Sequence, residues 1–259
     1  MPLTSDKNIT IHEYRNNSLT EKIIEVSAEY PITLMINGNP YMTFACSGTE
    51  LESYAWGYLT TEGIISNPDE IRTIDIDESN LSINVNLIDS SEISAGLEFV
   101  KTLSAAGGRS RKKLPDKSFI RKNLPCVLPD SVLKCMSEFL AYSRENGSTH
   151  GVHSAALYTL EGIMIVFFDE IGRHNAIDKT IGYAVMNKIS LEDKMIFSTG
   201  RLSSEIAIKI INARAPVLVT RASPTTYSVK LLREYNILAI TTVSDERFFV
   251  INGNRYIAI

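Results

Sequence analysis

Cysteine is scarce in this chain, with Cys46, Cys126 and Cys135 in 259 residues. An odd number with no Cys-x-x-Cys pair argues against a disulfide framework and against a redox pair. No apolar run approaches the ~20 residues that span a bilayer, and the first seven residues lack the apolar core of a signal peptide. We therefore expect a cytoplasmic protein with reduced thiols and no membrane association.

Histidine and positive charge are also limited, with four histidines and a net charge of −4. That balance argues against a general nucleic-acid binder. His150 and His153 form a His-x-x-His pair, but zinc takes three or four ligands, and His174 would be a third only if the fold brought it near. We expect no zinc, a ligand contact or structural role for His153, and a surface position for His12.

Positive charge is concentrated in residues 101–122, which hold eight basic residues and one acid. The same segment contains Ala105-Ala106-Gly107-Gly108 and Leu114-Pro115, so it indicates a flexible basic loop. A solvated loop and a segment that attracts a polyanionic ligand both remain open.

Before this loop the pattern predicts a small α+β unit. Residues 23–26 and 32–36 are strand-like, and Asn37-Gly38 is a two-residue hairpin turn. A helix is predicted to begin at the Thr49/Glu52 capping box and to stop at Gly63, and residues 83–87 alternate as in a half-buried strand.

After the loop, strands and helices alternate. The predicted elements are strands 152–159, 163–168, 195–198, 217–220 and 237–242, and helices 175–188, 203–213 and 224–234. Repeated β-α units predict a mainly parallel sheet with helices on both faces. We therefore predict an α/β fold with two parts, 1–128 ending in the basic loop and 129–259 ending in an Asn252-Gly253 hairpin.

Residues 169–179 carry more polar chemistry than a strand-to-helix turn requires. They follow the apolar strand 163–168, and Asn175 is the expected helix N-cap, with Asp178 three residues later. Asp169, Glu170, Arg173 and His174 are an excess for a structural turn, so we expect a functional role for them.

Polar residues also follow the next two strands. Thr199, Gly200, Arg201 and Ser203 follow strand 195–198, whereas Arg221 and the predicted Ser223-Pro224 helix start follow strand 217–220. In open α/β sheets ligands bind at this edge, and helix N-termini favour anions. We call residues 169–174, 199–203 and 221–225 the rim, and we predict an anionic ligand there.

Four segments, in order, resemble one known family. Residues 169–179 resemble Glu-Asp-Val-Gly-Arg-His-Asn-Ala-Leu-Asp-Lys of the FdhD/NarQ family, accessory proteins of formate dehydrogenase. Residues 149–156, 199–205 and 222–225 resemble its Thr-Gly-Gly-Val-His-Ala-Ala, Thr/Ser-Gly-Arg-x-Ser-x-Glu and Ser-Ala-Pro-Thr segments. The resemblance spans roughly residues 20–255.

The resemblance implies a cytidine-deaminase-like three-layer fold without the zinc. It implies a sulfur carrier that passes sulfur from a cysteine desulfurase to the molybdenum bis-pterin guanine dinucleotide cofactor of formate dehydrogenase, with guanine nucleotides as partial mimics. The cofactor-binding residues carried over are His153, Arg173, His174, Thr199, Gly200, Arg201, Ser203, Thr242, Val243, Ser244, Asp245, Glu246 and Arg247.

The chain departs from the family where the sulfur should travel. Ala106 and Arg109 occupy the cysteine positions of the family's Cys-Gly-x-Cys-Gly loop, and neither can carry sulfane sulfur. Cys126 is the remaining candidate, since Cys135 lies on an apolar helix face and Cys46 ends a strand. Enzymatic activity therefore stays open.

Three hypotheses follow. The chain assists formate dehydrogenase with sulfur transfer lost or moved, or it is a non-catalytic guanine or pterin nucleotide-binding homologue, or it is a deaminase-like hydrolase using His150, His153 and His174. The sequence leaves open which molybdoenzyme is served and whether the chain forms a homodimer.

Overall fold

The computed structural model describes residue 3, residues 6–88, residue 117 and residues 120–146 and 151–258. Their strands form sheets of two, four and six strands. The strands are β1 Asp6–Arg15, β2 Ser18–Ser27, β3 Tyr30–Ile36, β4 Asn39–Cys46, β5 Ile71–Asp77, β6 Ser82–Leu87, β7 His153–Thr159, β8 Met164–Glu170, β9 Lys194–Ser198, β10 Val217–Thr220, β11 Leu238–Thr241 and β12 Phe249–Asn252. The α-helices are α1 Leu51–Thr61, α2 Pro129–Asn146, α3 Arg173–Met186, α4 Ser204–Asn212 and α5 Thr226–Glu234. No described helix is long and apolar enough to cross a bilayer.

The four-stranded sheet has the order β4-β3-β6-β5 and packs on α1. The predicted hairpin is confirmed, because Asn37 and Gly38 both have positive φ and join β3 to β4. Gly63, with φ of 68°, follows the end of α1 as predicted. The predicted capping box is wrong. The N-cap is Glu50, and the Thr49 hydroxyl is close to Ser47 and to a lysine of α3.

The six-stranded sheet has the order β12-β11-β10-β9-β7-β8. Strands β9, β10 and β11 are parallel, whereas β7, β8 and β12 run antiparallel to their neighbours. The sheet is thus less parallel than predicted, because the connection from β7 to β8 is too short for a crossover. Strands 163–168, 195–198 and 217–220 do share this sheet. The predicted Asn252-Gly253 hairpin is wrong: β12 pairs with β11, and Gly253 leads into a 3-10 turn.

Helices cover both faces of the six-stranded sheet. Ile196, Leu218 and Ala239 face α3, α4 and α5, whereas their neighbours Phe197, Val219 and Ile240 face α2. The alternation follows from the two-residue period of a strand. The α/β class is therefore confirmed. The cytidine-deaminase likeness and the division at residue 128 stay predictions, and Leu124 and Val127 pack in the α2 core.

The two larger sheets are joined through a close crossing of α1 and α3. A Cβ on Gly57 would lie 1.7 Å from the carbonyl oxygen of Asp178, and one on Gly182 would lie 1.7 Å from that of Ser53. The helix backbones therefore touch directly, which only glycine permits at these two positions. α3 is accordingly buried over most of its length, from His174 to Ala184.

Candidate functional site

The turn between β8 and α3 opens the candidate site. α3 begins at Arg173 with Gly172 as N-cap in an extended conformation, two residues before the predicted start. The predicted Asn175 cap is therefore wrong, and the Asn175 amide instead donates to the carbonyl of Ala45 at 2.8 Å. Arg173 and His174 consequently occupy the first turn of the helix.

Arg173 lies against the turn that follows β9. Its side chain packs on Gly200, where an added Cβ would lie 2.7 Å from the Arg173 Cβ. The Arg173 Nε atom is buried and has no hydrogen-bond partner among the described residues. A buried guanidinium N–H without a partner is costly, which singles out Arg173 as a candidate binding residue of this edge.

His153 and Thr199 lie beside this arginine. The Thr199 hydroxyl accepts from the Ser154 backbone at 2.9 Å and is 3.5 Å from His153 Nδ1. Burial, and next the Arg173 charge, lower the pKa of His153. His153 is therefore neutral near pH 7 and can offer a hydrogen bond rather than a charge.

The predicted rim residues form one continuous edge. Thr220 donates to the carbonyl of Gly200 at 2.9 Å, and the backbone N–H groups of Thr242 and Val243 reach Ala222 and Thr220, respectively, at 3.4 Å. The turns after β8, β9 and β10 and the segment after β11 are therefore neighbours. The structure brings together His153, Arg173, Thr199 and Gly200.

His174 and Ser203, the residue before α4, contact other groups of the protein. His174 is buried, and its Nε2 lies 2.9 Å from the Glu205 carboxylate in the first turn of α4. Ser203 is the N-cap of α4, and its hydroxyl accepts from the Ile206 backbone. These two side chains are thus engaged within the protein, whereas Arg201 is exposed.

The start of α5 differs from the prediction. Thr225 is the N-cap and forms a capping box with Ser228, so the predicted Ser223-Pro224 helix start is wrong. Ser223 instead accepts from the Leu202 backbone, and Pro224 forms a bridge with Leu202. Arg221 is exposed at this turn.

The segment 242–247 closes the edge after β11. Thr242 has φ of 53°, and the Val243 side chain is buried in the core. The Ser244 N–H and hydroxyl both donate to the Arg247 carbonyl, at 2.8 and 3.2 Å, so both donors are used within the segment. Asp245, Glu246 and Arg247 are exposed.

The cysteines separate by exposure as predicted. Cys126 is exposed, whereas Cys46 and Cys135 are buried. Leu124, two residues from Cys126, lies near Leu238 at the beginning of β11. The rim instead lies beyond the end of β11. At about 3.3 Å per residue, this four-residue strand separates the two ends by roughly 10 Å. Ala106 and Arg109 lie outside the described residues.

Candidate metal ligands do not cluster in the described part of the chain. No group of three or more His, Cys, Asp or Glu side chains there is arranged to hold a metal ion. His150 lies outside the described residues, and His12 is exposed on β1.

Sequence reasoning missed two buried lysines behind the rim. Lys179 Nζ lies 2.9 Å from Glu170, and Lys209 Nζ lies within 2.9 Å of Asp178 and Glu62. A sequence signal existed for Lys179 alone, because it follows Asp178 inside an otherwise buried helix. Its partner Ser47, 132 residues away, could not be foreseen.

Comparison with known proteins gives a consistent result. The model of the FdhD/NarQ family matches residues 27–258. The Bacillus pumilus sulfur carrier protein FdhD is 32% identical over 249 residues, which cover 93% of this chain and 94% of the relative. The Listeria monocytogenes protein of the same name is 30% identical over 250 residues, covering 94% and 95%.

A solved structure shares the fold. The crystal structure of a candidate formate dehydrogenase accessory protein from Desulfotalea psychrophila superposes with a TM-score of 0.78. It is 22% identical and covers 98% of this chain and 99% of the other.

Proposed function

This chain belongs to the FdhD/NarQ family, and from that membership we propose that it is an accessory protein of formate dehydrogenase. In this role it binds the molybdenum bis-pterin guanine dinucleotide cofactor as its client on the rim. The family's further step, transfer of sulfur to that client from a cysteine desulfurase, is treated separately below because the loop cysteines are replaced.

The observation that carries the binding proposal is the position of Arg173. Its buried Nε has no partner among the described residues, and its side chain lies on the backbone of Gly200. A guanidinium can hold two phosphate oxygens at once, and the lack of a side chain at Gly200 is what lets Arg173 lie this close to the turn after β9. The pyrophosphate of a guanine dinucleotide supplies the matching charge.

The other rim residues have distinct roles in this proposal. Arg201 and Arg221 are exposed on adjacent turns and add positive charge at the mouth. Neutral His153 and Thr199 offer hydrogen bonds beside Arg173. In segment 242–247 only Arg247 attracts an anion, since the carboxylates of Asp245 and Glu246 would repel one.

Titration with guanosine diphosphate, a partial mimic of the client, tests this site. We expect Arg173→Ala and Arg201→Ala each to cost about 1.5–3 kcal/mol of binding free energy, because charge-assisted hydrogen bonds are lost. This corresponds to roughly a tenfold to hundredfold weaker affinity. Arg72→Ala, on exposed β5, is the matched control and should bind like the wild type. Unchanged affinity in both rim variants would place the site elsewhere.

Sulfur transfer, if retained, would use Cys126. The Cys126 thiolate would attack the terminal sulfur of the desulfurase persulfide. A new Cys126 Sγ–S bond forms, the desulfurase S–S bond breaks, and the desulfurase cysteine leaves as a thiolate. Cys126 is exposed enough for this exchange, but it lies near the end of β11 away from the rim. This separation favours the alternative, a nucleotide-binding homologue without transferase chemistry.

Persulfide labelling distinguishes these two alternatives. The chain is incubated with a cysteine desulfurase and cysteine, and its peptides are analysed by mass spectrometry. A gain of one sulfur on the Cys126 peptide that disappears in Cys126→Ala would establish a relocated carrier. We expect no gain on any cysteine. A gain on Cys46 or Cys135 would contradict their burial.

The deaminase-like hydrolase remains the third proposal. Its test is the metal content of the purified protein, since stoichiometric zinc would support it and its lack would dismiss it. Whether the chain dimerises is measured on the same sample by light scattering.

A further inference from the structure

Glu170, the last residue of β8, is a buried anchor behind the rim. Its side chain is fully buried, and its carboxylate accepts four hydrogen bonds. Oε1 accepts from the Ser47 N–H and hydroxyl at 2.8 Å and from Lys179 Nζ at 2.9 Å. Oε2 accepts from the Ile171 N–H at 2.7 Å. Three separate segments therefore meet on one carboxylate.

The bond to Ile171 is the one that bears on the site. Ile171 lies two residues before Arg173, in the short turn from which the arginine projects onto Gly200. The other three bonds hold the carboxylate to the segment after β4 and to α3. Glu170 thereby holds the turn to Ser47, after β4, and to Lys179 of α3. These bonds also fix the position of Arg173 at the end of the turn.

We propose that Glu170 is a positioning residue that acts through Arg173 and sets its geometry for the anionic client. This inference rests on the proposed rim function. Glu170 does not contact the ligand in this proposal; its role is to keep the Ile171–Arg173 turn in one conformation. A binding group must be held within about half an ångström to keep its full effect, and such support comes from surrounding hydrogen bonds.

The variant Glu170→Gln isolates the relevant bond. A glutamine keeps one carbonyl oxygen for Ser47 and Lys179, but its NH₂ group then faces the Ile171 N–H, donor against donor. The matched control is Glu62→Gln, which changes a buried glutamate that holds Lys209 at 2.7 Å and does not touch the turn. Lys209 keeps Asp178 after Glu62→Gln, whereas Lys179 loses the carboxylate that it contacts after Glu170→Gln, so the comparison with and without Arg173 is what separates a positional effect from destabilisation.

The experiment measures guanosine diphosphate affinity in these variants and in the Arg173→Ala background, at a temperature where all are folded. We expect Glu170→Gln to weaken binding by roughly fivefold or more and Glu62→Gln to stay within about twofold of the wild type. In the Arg173→Ala background, Glu170→Gln should have no further effect, because the residue through which it acts is absent.

Two results would overturn the inference while leaving the rim intact. One is wild-type affinity in Glu170→Gln while Arg173→Ala still weakens binding. The other is an equal loss from Glu170→Gln with and without Arg173. If the wild type itself does not bind the nucleotide, or if Arg173→Ala binds normally, the proposed rim and this inference fail together.

Discussion

At the scale of single residues, the three thiols should react very differently. Burial, together with the nearby Glu170 carboxylate, raises the pKa of the Cys46 thiol to about 12, and burial also raises that of Cys135. Only the thiolate reacts, so these two are inert near pH 8. We expect one equivalent of native thiol to react with Ellman's reagent and three after denaturation, with the native reaction lost in Cys126→Ser. Native reaction in that variant would contradict the burial.

The sequence identified individual site residues only where a turn carries more charged or polar side chains than its conformation requires. The sequence identified Arg173 because a turn does not require an arginine there, and the structure places it against Gly200. It could not identify Ser47 as a partner of Glu170, because hydrogen bonds across 123 residues leave no local pattern. His174 was expected to face a ligand, yet its Nε2 lies against Glu205. Side-chain direction depends on the packing of α3 on α4.

At the scale of elements, the crossing of α1 and α3 should tolerate no side chain at its two glycines. An alanine Cβ at Gly57 or Gly182 would lie 1.7 Å from a backbone oxygen, so the helices would have to separate. We expect either Gly57→Ala or Gly182→Ala to lower the free energy of unfolding by about 3 kcal/mol or more, at the upper end for overpacking.

Urea unfolding measures this effect, and Gly151→Ala is its control. A Cβ at Gly151 meets no heavy atom of the described residues within 4 Å, so that variant should unfold like the wild type. Wild-type stability in both helix variants would contradict the direct contact between the backbones of α1 and α3.

Hydrophobic periodicity predicted whether a segment is a helix or a strand more reliably than it predicted the residues where the segment begins and ends. The β3–β4 hairpin was foreseen because Asn-Gly favours positive φ at both turn positions. The same dipeptide at 252–253 led to a wrong prediction, because Gly253 precedes a 3-10 turn and not a second strand of a hairpin. The predicted caps at Thr49 and Asn175 failed because both side chains bind across to another segment. Local capping preferences give way when a tertiary partner is available.

At the scale of the whole molecule, layer order was predictable and strand direction less so. Repeated β-α units fixed β9, β10 and β11 as parallel neighbours, as the structure has them. The position of β7 between β8 and β9 was not visible in the pattern, because an apolar strand has no mark for its neighbours. The contact between the two larger sheets also includes the buried ion pair between Lys209 of α4 and Glu62 at the end of α1, and two segments so far apart in the sequence leave no local pattern.

The Lys209 cluster should make the stability of the whole molecule pH-dependent once its lysine is removed. Lys209 Nζ contacts the carboxylates of Asp178 and Glu62 and the hydroxyl of Thr61, all buried. Burial raises the pKa of Asp178 even with Lys209 present, and Glu62 adds to that direction. Lys209→Met removes the opposing charge, so the pKa of Asp178 rises further and two buried carboxylates lose their counter-charge. We expect a cost of about 3–5 kcal/mol near neutral pH.

That cost should shrink as the pH falls. A folded-state pKa above the unfolded value means that the folded state holds the proton more tightly, so stability from Asp178 is present at low pH and lost as the pH rises through the folded pKa. The free energy of unfolding of Lys209→Met, measured by urea unfolding, should therefore approach that of the wild type as the pH falls from about 8 to about 5. The expected change is about 1.4 kcal/mol for each unit by which the substitution raises the folded-state pKa of Asp178. In Lys209→Met/Asp178→Asn the titrating group is gone, and most of this convergence should disappear with it. A pH-independent gap between Lys209→Met and the wild type would show that Asp178 is not the group that carries the charge.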